Sequence, residues 1–317
     1  MSDSRPRRYV AALLVALLFG IPALALVPSA VPSQLQLPDE TRMESAPSDY
    51  YSAASGLSGD ALHTALYGII RNHTVVSYSS AWAHLQTTDE ASDNSDNVTL
   101  FYTRRSQSEN DTCGNGNPCT SDTWNREHVW PKSHGDFGTS MTAEAGTDLH
   151  ALRPSDNTVN SARSDKDFDA AATPHSECTI CNYSSDAWEP PLASKGDAAR
   201  SVFYMDVRYN GYGSEPNLTL VDAYTSTSSG DGQLGKLCTL YQWHFDDPVD
   251  SAEAGRNDAV YTIQSNRNPF IDYPELVRQI WPSGDGATCC TVREASEIVA
   301  EETLYPRNAV PDYAPGC

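Results

Sequence analysis

Between Asn125 and Phe168 the chain gathers Arg126, Glu127, His128, Arg153, Asn160 and Arg163, residue types that together suit hydrolysis of a phosphate ester. Such a reaction needs a base for water, positive charge against the developing phosphorane and help for the leaving oxygen. His128 is the candidate base, because an imidazole titrates near neutral pH and can take a proton from water there. Glu127 and Asn160 offer a carboxylate and a carboxamide oxygen, hard ligands of the kind that hold Mg²⁺ while it keeps several waters. An ion held this way stabilises charge on the phosphate oxygens and lends a water to protonate the leaving group. Arg163 lies three residues after Asn160, on one face of an expected helix, where its guanidinium can grip a phosphate. Arg126 and Arg153 are further candidates for phosphate contact. Each residue also has a plain structural reading, a packed histidine or an Asn and an Arg on a solvated helix, and the case rests on their company.

The elements that must position these groups are partly readable. On an ideal strand Glu127 and His128 point to opposite faces, so a strand end, twist or bulge has to let both address one cleft. Pro154-Ser155 reads as the start of the helix that carries Asn160 and Arg163. Asp148 and His150, just before it, are read as structural. Upstream, Leu62, Leu66, Ile69 and Ile70 mark one face of a helix capped by Asp60, and a second helix covers residues 79–85. Residues 89–97 read as an acidic loop and residues 98–103 as a strand. Downstream, residues 195–209 form a core helix with Asp197 as N-cap, residues 251–265 form another, and Asn-Pro at 268–269 begins a turn. His244, in an apolar Trp-His-Phe setting, is read as buried and structural, and Gln264, Asn266, Arg267 and Asn268 as residues that fix a turn.

The chain has 317 residues and a net charge of −21, which taken alone argues against a surface drawn to nucleic acid or anionic lipid. That objection weakens locally, since residues 104–166 hold seven Lys/Arg against nine Asp/Glu. Arg5, Arg7 and Arg8 precede an apolar run from Val10 to Val27 containing Ala23-Leu24-Ala25, the pattern of a signal peptide over residues 1–25. A linker rich in Pro and Ser follows over 26–49, then a single catalytic domain over 50–281 and an appendage over 282–317. All eight cysteines lie after the signal, and an even number in an exported chain reads as disulfides. Cys178-Thr179-Ile180-Cys181 could be half of a zinc site, but no second pair at ligand spacing follows in the main body, so a disulfide is the expected state. The three cysteines after Pro282 make the appendage a disulfide-pinned one.

Glu127-His128-Val129-Trp130-Pro131, Asp148-Leu149-His150-Ala151-Leu152 and Val159-Asn160-Ser161-Ala162-Arg163, in this order, resemble the signature of the endonuclease I family. The resemblance extends through residues 195–209, 243–250 and 264–272. It implies an α+β fold, a mixed α/β domain built around the ββα-metal (His-Me finger) motif. It also implies a secreted or periplasmic nuclease that cuts DNA, often RNA too, with little sequence preference and with products carrying a 5′-phosphate. By the same resemblance His128 is the general base and Glu127 and Asn160 hold one Mg²⁺ per site, with Mn²⁺ or Ca²⁺ as substitutes. Position 151 is Ala where many members have Asn, and the tail after Trp281 lies outside the resemblance. The expected molecule is a monomer with no stable membrane association once its signal is cleaved. The alternatives are a catalytically silent extracellular binding protein on this scaffold and a small-molecule phosphodiesterase.

Overall fold

A computed structural model describes residues 47–140, 144–225 and 230–282, all within one compact unit. The signal peptide, the linker up to residue 46 and the appendage from residue 283 lie outside the described residues. The fold is α+β, as expected, with small sheets set among helices. Helices α1 (Gly59–Ile70) and α2 (Ala81–Thr88) come first, then an antiparallel sheet of β1 (Glu90–Ala91), β2 (Asn94–Thr99) and β3 (Ser106–Ser108). The antiparallel pair β4 (Trp124–His128) and β5 (Leu152–Asp156) follows, its connection holding the single turn α3 (Lys132–Gly135). Helix α4 (Asn157–Arg163) leaves β5 directly.

Beyond it, β6 (Asp167–Phe168), β7 (Thr173–Pro174), β8 (Asn182–Tyr183) and β9 (Ala187–Glu189) form a sheet in the order β6-β9-β8-β7. The long helix α5 (Leu192–Arg208) runs through the core, and a short parallel pair joins β10 (Thr219–Leu220) to β11 (Gln233–Leu234). Helices α6 (Leu237–Asp246), α7 (Ser251–Gln264), α8 (Pro269–Asp272) and α9 (Leu276–Ile280) complete the described chain. Asp250 caps α7 by accepting from the Glu253 N–H, and Asn268 caps α8 by accepting from the Phe270 N–H.

Several expectations shift. Asp60, read as a cap, lies in the first turn of α1, whose N-cap is Ser58, and the helix read over 79–85 spans Ala81–Thr88. The strand sits earlier than residues 98–103: β2 begins at Asn94, and Leu100, Phe101 and Tyr102 turn inward as buried residues. The β1–β2 hairpin faces solvent, so it carries no apolar alternation, while the apolar run that imitates a strand serves the core instead. Helix α4 starts at Asn157 and not at Pro154-Ser155, because those two residues pair with Arg126 and Asn125 of β4. Helix α5 starts at Leu192 behind Pro191, which leaves Asp197 inside the helix, 3.4 Å from the Arg200 guanidinium.

The β4–β5 pair rests on an apolar floor of Trp82, Leu85, Val98, Leu100, Trp124, Leu149, Leu152 and Val260. Beside that floor lies a buried polar hub. Asp148, fully buried, accepts from Tyr204 OH at 2.7 Å, Tyr209 OH at 2.8 Å, Gln264 Nε2 at 3.0 Å and the His150 N–H at 3.0 Å. Burial alone would raise its pKa, but the imidazoles of His73 and His150 and these donors bring it below the ordinary range. Gln264 in turn accepts from the Leu149 N–H at 2.7 Å, and Asn266 donates to Tyr204 OH at 2.7 Å. Of the eight cysteines, Cys113 pairs with Cys119 and Cys178 with Cys181, and Cys238 is disulfide-bonded as well. The Cys178-x-x-Cys181 pair is therefore a disulfide and not a zinc half-site.

Two buried histidines make the fold sensitive to acid. His150 and His244 each have a pKa lowered to about 3, burial being the largest cause for both. In the unfolded chain an imidazole binds its proton near pH 6.5, so between that pH and about 3 the unfolded state binds more protons and stability falls as pH falls. Each such histidine contributes at most about 1.4 kcal/mol per pH unit in that window. Urea unfolding at pH 7, 6, 5 and 4 should show stability declining with acidification, and His244→Gln should flatten the decline. A variant with the parent's pH slope would show that His244 is not held neutral in the fold.

Candidate active site

The β4–β5 pair and α4 bring most of the candidate residues into one neighbourhood and sort them by face. Strand alternation sends Asn125 and Glu127 toward α4, while Arg126 and His128 face Tyr78 in the segment between α1 and α2. Glu127 is buried, and its Oε1 accepts from Tyr102 OH at 2.7 Å and from Arg163 Nη1 at 3.0 Å. Burial raises its pKa, with Arg163 and Tyr102 acting in the other direction. Among the described residues no hydrogen bond reaches its Oε2.

Asn160 is oriented by a neighbour. Its Nδ2 donates to Asn125 Oδ1 at 2.7 Å, and Asn125 Nδ2 donates to Asn157 Oδ1 at 3.1 Å. That chain of amides leaves Asn160 Oδ1 as an acceptor with no donor among the described residues. Two hard oxygens, one anionic and one neutral, thus project from the α4 side of the motif without a protein partner. Among the described residues no group of three or more His, Cys, Asp or Glu side chains could hold a metal ion. The donor set therefore suits a hard cation that keeps most of its water, and does not suit an ion requiring a full protein cage.

His128 ends β4, half-buried, with its ring stacked on Tyr78 at 5.8 Å between centroids. Its Nε2 lies 2.9 Å from the Gly146 carbonyl oxygen. A carbonyl only accepts, so Nε2 carries the proton and Nδ1 keeps the lone pair. Burial lowers the pKa to about 3, the Gly146 carbonyl opposes this, and Lys132, Arg126 and Arg163 lower it further. The imidazole is neutral at pH 7 with a lone pair on Nδ1, but its pKa departs from the near-neutral titration expected of its type, because burial disfavours the charged ring. Gly146 has no alternative at its position, since a Cβ there would stand 1.7 Å from the Gly138 carbonyl oxygen.

The three arginine candidates divide sharply. Arg163, expected to grip a phosphate, is wholly buried instead. Besides Glu127 it donates to the carbonyls of His128 at 3.0 Å and Val129 at 2.8 Å, and its guanidinium lies 4.6 Å from the Phe168 ring centroid. Its planar fork spans the end of β4 and fixes Glu127, so it is a positioning group. Arg153, also expected at a phosphate, is buried beside Asp89 at 3.4 Å and over Phe101 at 5.2 Å. Both expectations fail for the same reason, the desolvated acid that each guanidinium balances. Arg126 is half-buried, 3.4 Å from the Tyr78 centroid and 4.1 Å from that of Trp82; its Nη1 donates to the Tyr78 carbonyl, and it has no ion-pair partner among the described residues. Lys132 is exposed and likewise without an ion pair among the described residues, close enough to His128 to influence it.

Tyr78, Tyr102, Asn125 and Gly146 escaped the sequence reading. Asn125 stood inside the motif and could have been noticed, whereas Tyr78 and Tyr102 reach the site only through tertiary packing.

The family model of Endonuclease I matches residues 58–275, more than half of the chain. The chain belongs to the endonuclease I family. It is therefore a nuclease, a hydrolase of phosphodiester bonds in nucleic acid. An extracellular ribonuclease of Bacillus subtilis (strain 168) is 46% identical over 261 residues, 82% of this chain and 87% of the relative. An extracellular ribonuclease of Bacillus amyloliquefaciens is 47% identical over 234 residues, 73% of this chain and 78% of the relative. Endonuclease-1 of Buchnera aphidicola is 27% identical over 129 residues, 39% of this chain and 44% of the relative. The endonuclease I match contains every residue of the site just described.

The burial of Arg163 makes its role testable by stability. A lysine cannot reach Glu127 and two carbonyls at once, so Arg163→Lys should cost about 3 kcal/mol or more in urea unfolding, as breaking a buried ion pair does. A guanidinium acting on substrate would give the opposite result, parental stability with only activity lost.

Proposed function

We propose that this nuclease is a secreted, Mg²⁺-dependent endonuclease with little sequence preference, cutting DNA and RNA to products with a 5′-phosphate. The observation that supports it most is the pairing of two unclaimed hard oxygens, Glu127 Oε2 and Asn160 Oδ1, with a neighbouring neutral imidazole whose proton is fixed on Nε2. Mg²⁺ at those oxygens, or Mn²⁺ or Ca²⁺ in its place, supplies charge stabilisation to the phosphate and a source of protons for the leaving oxygen.

The chain's own residues do the rest. His128 Nδ1 accepts a proton from the attacking water, and the Gly146 carbonyl steadies the Nε2–H as the ring becomes cationic. Tyr102 and Arg163 hold the Glu127 carboxylate in one orientation, and Asn125 does the same for the Asn160 amide. Arg126, clamped on Tyr78 and Trp82, offers its guanidinium to a substrate phosphate on the His128 face. RNA belongs among the substrates because two relatives that match most of this chain are named extracellular ribonucleases. Secretion is supported by the signal pattern over residues 1–25, the disulfides and those extracellular relatives. Among the described residues no helix is long and apolar enough to cross a membrane.

Plasmid DNA and a structured RNA, each incubated with the protein and Mg²⁺, should both be cut, and EDTA should stop both reactions. His128→Ala should lower kcat by about 100-fold or more, the usual contribution of a general base. Cleavage that persists in EDTA, or a His128→Ala variant that keeps the parent rate, would refute the mechanism. RNA left intact while plasmid is degraded would restrict the substrate to DNA.

A further inference from the structure

A polar cleft of about 370 Å³ lies outside the residues that carry the chemistry, lined by Tyr67, Arg71, Asn72, His73, Glu144, Tyr212 and Glu215. Within it the Arg71 guanidinium lies against two tilted aromatic rings whose centroids are 6.3 Å apart, 5.3 Å from the Tyr67 centroid and 4.6 Å from that of Tyr212. Tyr67 is buried, while Tyr212 is 62% exposed. The loop that carries Tyr212 holds it outward. Gly211 and Gly213 on either side adopt φ of +80° and +67°, and the loop is closed by a hydrogen bond from the Gly211 N–H to the Pro216 carbonyl at 3.1 Å.

The charges of the cleft are unevenly committed. Glu144 and Glu215 are both held by the buried Arg208, at 2.7 Å and 2.9 Å. Arg71 has no ion-pair partner among the described residues, although two carboxylates share its cleft. An aromatic face turned to solvent beside an unneutralised guanidinium is the combination that takes a base and its phosphate from single-stranded nucleic acid.

Two short lengths of chain link the cleft to the partners of His128. Residues 71–73 lead to Tyr78, which stacks on His128, and Glu144 stands two residues from Gly146, whose carbonyl holds His128. We propose that this cleft is a nucleotide subsite for single-stranded substrate, with the base stacked on Tyr212 and a phosphate on Arg71, beside the bond to be cut. The proposal rests on the nuclease reading above and gives it a substrate form, a strand whose bases are free to stack.

The test uses Tyr212→Ala and Arg71→Gln in the full chain, with a single-stranded oligonucleotide and a chromogenic methyl aryl phosphodiester that has no base. Each substitution should raise KM for the oligonucleotide by about tenfold, the scale of one lost base stack. kcat for the oligonucleotide, and kcat/KM for the small diester, should stay within about twofold of the parent. An unchanged oligonucleotide KM overturns the subsite. An equal loss on the small diester overturns it too, because the cleft would then be acting on the catalytic groups. Failure of the parent to cut either substrate would defeat the nuclease mechanism and not the subsite. In that case fluorescence anisotropy of the labelled oligonucleotide decides the subsite: weaker binding by both variants supports it and parental binding refutes it.

Discussion

The carboxylate of Asp148 is the point on which the architecture turns. A buried charge of this kind is tolerated only when donors surround it, and its donors come from three separate parts of the chain: His150 next to β5, Tyr204 and Tyr209 of α5 and its end, and Gln264 closing α7. The β4–β5 hairpin is thereby tied to the two helices behind it. None of these groups touches a reacting atom, yet the positions of β5 and of α4 beyond it follow from where Asp148 is held.

A protein with a net charge of −21 that acts on a polyanion has to ration its cations. Most described arginines and lysines are spent on internal carboxylates, Arg200 on Glu253, Arg208 on Glu144 and Glu215, Arg256 on Asp89, and Arg267 on Asp258 and Asp272. Arg71, Arg126, Lys132, Lys166 and Arg278 alone have no ion pair among the described residues. Arg126, Lys132 and Lys166 belong to β4, to α3 directly after it and to the loop directly after α4. Attraction for substrate is thus concentrated where the chemistry is, while the remaining exterior stays acidic, which favours release of product and a strong dependence on salt.

Much of this was legible in the sequence because the motif is local. Glu127, His128 and Asn160 drew attention by type and order, and the helices at α1 and α5 were marked by apolar spacing, although the caps read at Asp60 and Asp197 lie inside them. What escaped was whatever depends on a distant partner. An arginine reads alike whether it faces a phosphate or a buried glutamate, so Arg163 and Arg153 were assigned to substrate although Glu127 and Asp89 had claimed them. The solvent-facing β2 offered no apolar alternation, and Leu100-Phe101-Tyr102 imitated a strand because the core needed three apolar side chains at a turn. The expectation of a strand end, twist or bulge that lets Glu127 and His128 address one cleft is not met; the strand instead keeps its alternation, with Glu127 toward Arg163 and His128 toward Tyr78.

Gly146 is buried, although it belongs to the connection between β4 and β5, and connections usually absorb insertions and drift. With the Gly138 carbonyl oxygen 1.7 Å from where its Cβ would be, no other residue fits unless the loop moves, and the loop cannot move without carrying off the carbonyl that sets the tautomer of His128. A library that randomised residues 138–147 as a harmless variable region would therefore find one column frozen. The survivors would reveal a constraint set by His128 at a residue that has no side chain to contribute.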